Sequence, residues 1–196
     1  DQYANAARGA LAMLSRIETL NREQPVGWPG EVKIGIGINS GLCCVGNMGS
    51  DQRFDYSVLG DDVNLASRLE GQSKTYAVDI VISESTERQV AALATLELDL
   101  LRVKGRKAPV RIFALAGDEV IARVASFAAW KECHDRMLAA YRQQRWSEAS
   151  ARLEECRRLS DGAFAGIYDF YDARVREFAA APPPADWDGV YEARQK

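Results

Sequence analysis

Val32, Ile34, Ile36 and Ile38 alternate without a break with Lys33, Gly35 and Gly37. A period of two puts the branched side chains on one face of a strand and the glycines on the other. Glycine weakens a strand interior unless another backbone, or a ligand, has to come close, so this run predicts a strand contacted on its bare face. Asn39-Ser40-Gly41 follows with turn chemistry, and Leu42 to Gly46 gives a second strand, which predicts a hairpin between the two runs.

Around this core the pattern is mixed. Tyr3, Ala7, Ala10, Leu14 and Ile17 recur at helical spacing and stop before the breaker Val26-Gly27-Trp28-Pro29-Gly30. A polar loop leads to a third strand, Phe54 to Leu59. Gly60-Asp61-Asp62 then opens a helix through about Gln72, with Asp61 or Asp62 as its natural cap. Asp79 to Ile82 reads as a buried strand, and Ser83 caps a short helix running to about Leu93. Leu96 to Val103 and Val110 to Leu115 are strands around the turn Lys104 to Pro109. Up to about Gly117 the expectation is therefore an α/β (α+β) domain with a mixed, largely antiparallel sheet. From Asp118 the pattern is helical only. Phe127 to Tyr141, Trp146 to Cys156 and Phe164 to Val175 mark three helices, and Pro182-Pro183-Pro184 precedes an extended end. The domain division expected is 1–117 and 118–196.

Net charge is −3 at pH 7, so no basic field favours a nucleic acid polymer as partner. No apolar run approaches the ~20 residues that cross a bilayer. The helical pattern starts at once from Asp1, which predicts a piece of something longer. With four cysteines, one histidine and no Cys-x-x-Cys, a zinc site is not expected. The cysteines read as small hydrophobes in a reducing, cytoplasmic compartment, with Cys43 and Cys44 on opposite faces of a strand. His134 reads as packed or exposed on its helix rather than as a switch.

Three motifs carry a resemblance. Val32 to Gly41 with Val45 to Ser50 resembles the central hairpin of class III adenylate and guanylate cyclases. Phe54-Asp55-Tyr56-Ser57-Val58-Leu59-Gly60-Asp61-Asp62-Val63-Asn64-Leu65-Ala66-Ser67-Arg68-Leu69-Glu70 is similar to the strand-to-helix segment that holds substrate and transition state in that family. Val103-Lys104-Gly105-Arg106 matches in the last hairpin, in the right order and spacing. Asn64 and Arg68 stand four apart and so share one helix face. In-line attack of the ribose 3′-oxygen on the α-phosphorus builds negative charge on phosphoryl oxygens, and a fixed guanidinium with a positioned amide suits that charge. The resemblance implies that Arg68 contacts the α-phosphate, Asn64 orients the ribose, Lys104 neutralises the leaving pyrophosphate and Ser57 reads the base. Taken alone, an Asn-x-x-x-Arg pair or a basic turn is an ordinary solvated surface. Serine at position 57 departs from the family's aspartate, threonine or cysteine, while its hydroxyl can still bond a purine edge.

The resemblance further implies ATP as substrate and cyclic AMP and pyrophosphate as products. It implies two Mg²⁺ or Mn²⁺ ions held by aspartates upstream of this chain, with no metal ligand here. It implies a head-to-tail pair with a second cyclase domain, a homodimer, and no activity from this piece alone. Leu138 to Leu153 resembles one tetratricopeptide-like helix pair, which cannot bury both faces by itself. The tail is expected to pack on the core or its dimer mate, or else to dock a regulatory partner. The closing Pro-Pro-Pro-Ala-Asp-Trp-Asp-Gly-Val-Tyr resembles the ends of bacterial cyclases with a CHASE2-type sensor and inner-membrane helices upstream. The rivals are a guanylate cyclase on the same fold, and a non-catalytic cyclase-like module that binds nucleotide or only dimerises.

Overall fold

The computed structural model describes residues 1–24, 26–28, 30–50, 53–102 and 108–192. The alternating run forms strand β1 only over Ile36–Ile38, and its partner is not the run after the turn. β1 pairs in parallel with β4 (Ile80–Ser83), with Gly37 opposite Val81. Cys44–Ser50 (β2) instead pairs antiparallel with Arg53–Leu59 (β3), as a separate two-stranded ribbon. The expected hairpin is thus corrected, and local bonds give the reason. Asn39 Nδ2 donates to the Asp62 carbonyl at 2.9 Å, the Leu42 N–H donates to the Asp62 carboxylate at 3.1 Å, and the Ser40 and Thr86 hydroxyls meet at 2.9 Å. These bonds draw the turn toward elements that come later in the chain, away from β1. Upstream, the N–H and C=O of Val32 are both bonded by the Asn21 side chain, at 2.9 and 2.8 Å, which satisfies groups a longer strand would have paired.

The bare face of β1 meets backbone, as its glycines require. A Cβ on Gly37 would lie 2.2 Å from the Ala66 carbonyl oxygen and 2.3 Å from the Glu70 nitrogen. Both belong to α2 (Asp61–Tyr76), which runs one turn beyond the expected end at Gln72. Gly60 takes its cap position without a side-chain bond; Asp61 and Asp62 stand in the first turn, complementing the helix dipole. On the other face lies α1 (Gln2–Glu23), whose Ala7 and Ala10 pack with Ile80, Ile82, Phe113 and Leu115.

The main sheet has the order β1-β4-β6-β5-β7, with β5 Ala94–Arg102, β6 Val110–Gly117 and β7 Tyr191–Glu192. β6 is antiparallel to both β4 and β5, while β7 is parallel to β5, so the sheet is mixed as expected. Ser83 caps α3 by accepting from the Thr86 N–H, but α3 covers only Glu84–Glu87 and stops short of Leu93. The tail forms α4 (Glu119–Ala122), α5 (Ala125–Arg142), α6 (Trp146–Leu159) and α7 (Ala165–Ala180). Their apolar faces join Leu96, Leu98 and Leu101 of β5 and Leu65, Leu69 and Tyr76 of α2 in one continuous core. The chain past the prolines returns to the sheet edge, placing Tyr191 opposite Leu101.

Candidate functional site

Leu65 and Leu69 of α2 are buried, while Asn64 and Arg68 are exposed. One helical turn separates the two polar side chains, so they form a short row on the outward side of α2. The helix is held at three levels. Asp62 binds the loop before β2, Gly37 receives its middle against bare backbone, and Tyr76 at its end donates to Asp99 Oδ2 at 2.7 Å. Ser57 lies on β3, the strand that feeds α2 through Gly60, and is exposed opposite Gly46. A Cβ on Gly46 would meet nothing within 4 Å, so space lies open beside Ser57's partner position. Lys104 lies outside the described residues. Ser57 on β3 and Asn64 and Arg68 on α2 therefore lie on two consecutive elements joined at Gly60.

The ribbon that carries Ser57 is apolar and uncovered. On it Tyr56 is 78% exposed, Leu59 59% and Val45 57%, and Leu42, in the loop before β2, is 91% exposed. A lone two-stranded ribbon is marginal in water, and on one of its faces Val45, Tyr56 and Val58 lie exposed together. A separate cleft of about 490 Å³ lies between α1, α2 and the segment before β1, lined by Ile17, Lys33, Gly35, Lys74 and Asp79 among others. It touches the far end of α2 and includes none of Ser57, Asn64 or Arg68. There, burial followed by the nearby Glu18 raises the Asp79 carboxyl above its ordinary range.

Among the described residues, no group of three or more His, Cys, Asp or Glu side chains could hold a metal ion. Asp99, an acid with no evident partner in the sequence, is fully buried and ion-paired with Arg174 at 2.6 Å. Spacing gave no sign of that pair; the one local clue is an acid inside the apolar run Leu96 to Leu101. A register shift between Glu97 and Asp99 against β6 marks a bulge there, and bulges re-aim side chains. Cys133 and Cys156 are buried with sulfurs 3.2 Å apart, and burial pushes both thiols up, away from reactivity. Cys43 and Cys44 are exposed, and only Cys44 lies in a strand, which corrects the reading of that pair. No helix of the described residues is long and apolar enough to cross a membrane.

Residues 1–117 match the family profile described as the adenylate and guanylate cyclase catalytic domain. Adenylate cyclase 1 of Rhizobium meliloti (strain 1021) is 33% identical over 114 residues, covering 58% of this chain and 17% of that protein. An adenylate cyclase of Anabaena cylindrica is 33% identical over 117 residues, covering 55% of this chain and 23% of its own length. The chain thus spans under a quarter of these relatives. Among solved structures, the adenylyl cyclase CyaB from P. aeruginosa aligns with a TM-score of 0.50 at 34% identity, covering 60% of each chain.

Proposed function

The chain belongs to the adenylate and guanylate cyclase catalytic domain family, and from that premise we propose that its complete protein converts ATP to 3′,5′-cyclic AMP and pyrophosphate. This chain supplies the base-pocket and transition-state half of a site that a second cyclase domain completes. Residues 1–117 form the catalytic portion and 118–196 a helical, tetratricopeptide-like tail. The parent carries an upstream CHASE2-type sensor and inner-membrane helices, by the likeness of its closing residues.

The observation that carries the proposal is the row of Asn64 and Arg68 on a helix pinned at its start, middle and end. A guanidinium stays charged at any working pH and has a fork of donors, so Arg68 stabilises charge developing on the α-phosphate oxygens. Asn64, one turn earlier, bonds the ribose and holds its 3′-oxygen in line with phosphorus. The Ser57 hydroxyl bonds the adenine edge, and Lys104 meets the leaving phosphates. The described residues do not fit a metal centre; the two Mg²⁺ or Mn²⁺ ions that the family resemblance implies would take their ligands from outside this chain. Support for a second domain comes from the uncovered apolar ribbon next to Ser57, since covering it would also exclude water from the Asn64 and Arg68 row.

The test is cyclic AMP production from Mn·ATP by this chain, alone and mixed with a cyclase domain that keeps its metal aspartates but lacks its own arginine. Activity only in the mixture is the expected result. Silence in a mixture whose pairing has been demonstrated by sedimentation would overturn the catalytic role and leave a nucleotide-binding or scaffold module.

A further inference from the structure

Three elements of the chain converge on one buried carboxylate. Asp99 of β5 is 0% exposed, and its Oδ2 accepts from the Tyr76 hydroxyl at 2.7 Å and from Arg174 Nη1 at 2.6 Å. Its Oδ1 accepts from the Leu100 N–H at 2.8 Å. Tyr76 is the last residue of α2, the helix with Asn64 and Arg68, whereas Arg174 lies on α7 in the tail. The guanidinium is in turn flanked by rings from the tail, with Tyr191 at 3.5 Å and Phe170 at 4.2 Å from its central carbon. Both α7 and the returning strand β7 therefore bear on the group that holds the end of α2.

Stability alone is a poor reason for this arrangement. Desolvating an Asp–Arg pair costs several kcal/mol per ion, and well-packed apolar residues of equal volume often do as well or better. Arg174 also leaves its buried Nη2 without a hydrogen-bond partner among the described residues. What charged bonds add over apolar contact is direction. The bare backbone at Gly37 sets how deeply α2 sits on the sheet. A bond from the final side chain of the helix to a carboxylate locked on three sides sets how α2 is turned about its own axis.

We propose that Asp99, held by Arg174, is a positioning residue for the cyclase site: through Tyr76 it fixes the orientation of α2, and hence of Asn64 and Arg68. The C-terminal tail is then a working part of the catalytic half-site, not an appendage. This inference rests on the assignment of Asn64 and Arg68 made above. Tyr76 stands eight residues beyond Arg68, about 12 Å along the helix. A displacement of about 1 Å at reacting groups costs on the order of a hundredfold in rate, so a partial loss of orientation is readable as kinetics.

Tyr76→Phe in the complete protein removes the hydroxyl and keeps the ring, which packs edge-on to Phe170 at 4.8 Å. It is expected to lower kcat with Mn·ATP about tenfold while leaving KM within about twofold. Arg174→Lys, which keeps the charge and loses the planar fork, should do the same to a smaller extent. Arg68→Ala in parallel reports on the underlying assignment. Unchanged kcat in both Tyr76→Phe and Arg174→Lys, with only their melting temperatures lowered, makes the junction merely structural and overturns the proposal. If Arg68→Ala also retains full turnover, the assignment of α2 falls instead, and the two failures are told apart by that one variant.

Discussion

His134 is the single histidine of the chain, and its burial favours the neutral ring. Nε2 lies 2.6 Å from the Glu97 carbonyl, an acceptor, so it carries the proton. Nδ1 lies 3.2 Å from the Tyr168 hydroxyl, which also accepts from Trp130 Nε1. Burial above all depresses the pKa from 6.5 to about 4, against the opposing pull of the Glu97 carbonyl. The unfolded chain therefore takes up a proton first as pH falls. Stability from this group is complete above about pH 6.5 and is lost down to about pH 4, by roughly 3 kcal/mol in all. Urea unfolding at stepped pH should show that slope, and His134→Gln should flatten it; an unchanged slope in the variant would place the acid sensitivity elsewhere. At the exposed site the effects are kinetic. Arg68→Ala in the complete enzyme should lower turnover by about two to three orders of magnitude, the usual loss for one transition-state donor. Ser57→Asp should keep or sharpen preference for ATP, and a switch to GTP in steady-state turnover would overturn the reading of position 57 as selecting adenine.

At the scale of elements, what was legible in the chain is what is local. The α1 stripe, the Gly60 start of α2, the Ser83 cap and the three tail helices each depend on residues within a few positions of one another. The pairing of β1 was not legible, because Asn39-Ser40-Gly41 is a good turn in isolation. Its direction is set by Asp62 and by Thr86, which is 46 residues from Ser40. The bare face of β1 was legible as a close approach, though whether backbone or ligand came close was open; the backbone is that of α2. Gly37→Ala tests that contact. Its new methyl would lie within about 2.3 Å of two main-chain atoms of α2, which cannot move aside as a flexible side chain would. Overpacking of this kind costs about 1–3 kcal/mol or more, so the melting temperature should fall by several degrees. Turnover should fall with it, measured well below that melting temperature, because the helix that shifts is the one with Asn64 and Arg68. A variant with wild-type melting and turnover would mean that α2 rides higher on the sheet than this contact requires.

For the molecule as a whole, the composition change at Asp118 was plain in the sequence, but the way the two parts share a core was not. Arg174 and Asp99 are 75 residues apart, and no spacing rule links an arginine in a tail helix to an acid in a strand. The tail helices carry apolar faces that need a partner. They lean on the sheet: Leu96, Leu98 and Leu101 of β5 are each 0% exposed within a core shared with Met137, Tyr141 and Tyr171. Cutting the chain after Gly117 therefore tests whether the boundary of the family match is also a boundary of stability. Each of the three leucines loses burial worth about 1.5–3 kcal/mol. Lost at three side chains at once, that burial is a large share of the roughly 5–15 kcal/mol by which a domain is ordinarily stable. The expected result for residues 1–117 is a broad, low-temperature transition and strong binding of an apolar dye, against one cooperative transition for 1–196. A sharp transition for 1–117 close to that of the whole chain would mean that the tail rests on a core already complete, and that Arg174 takes hold of Asp99 only after the sheet has closed over it.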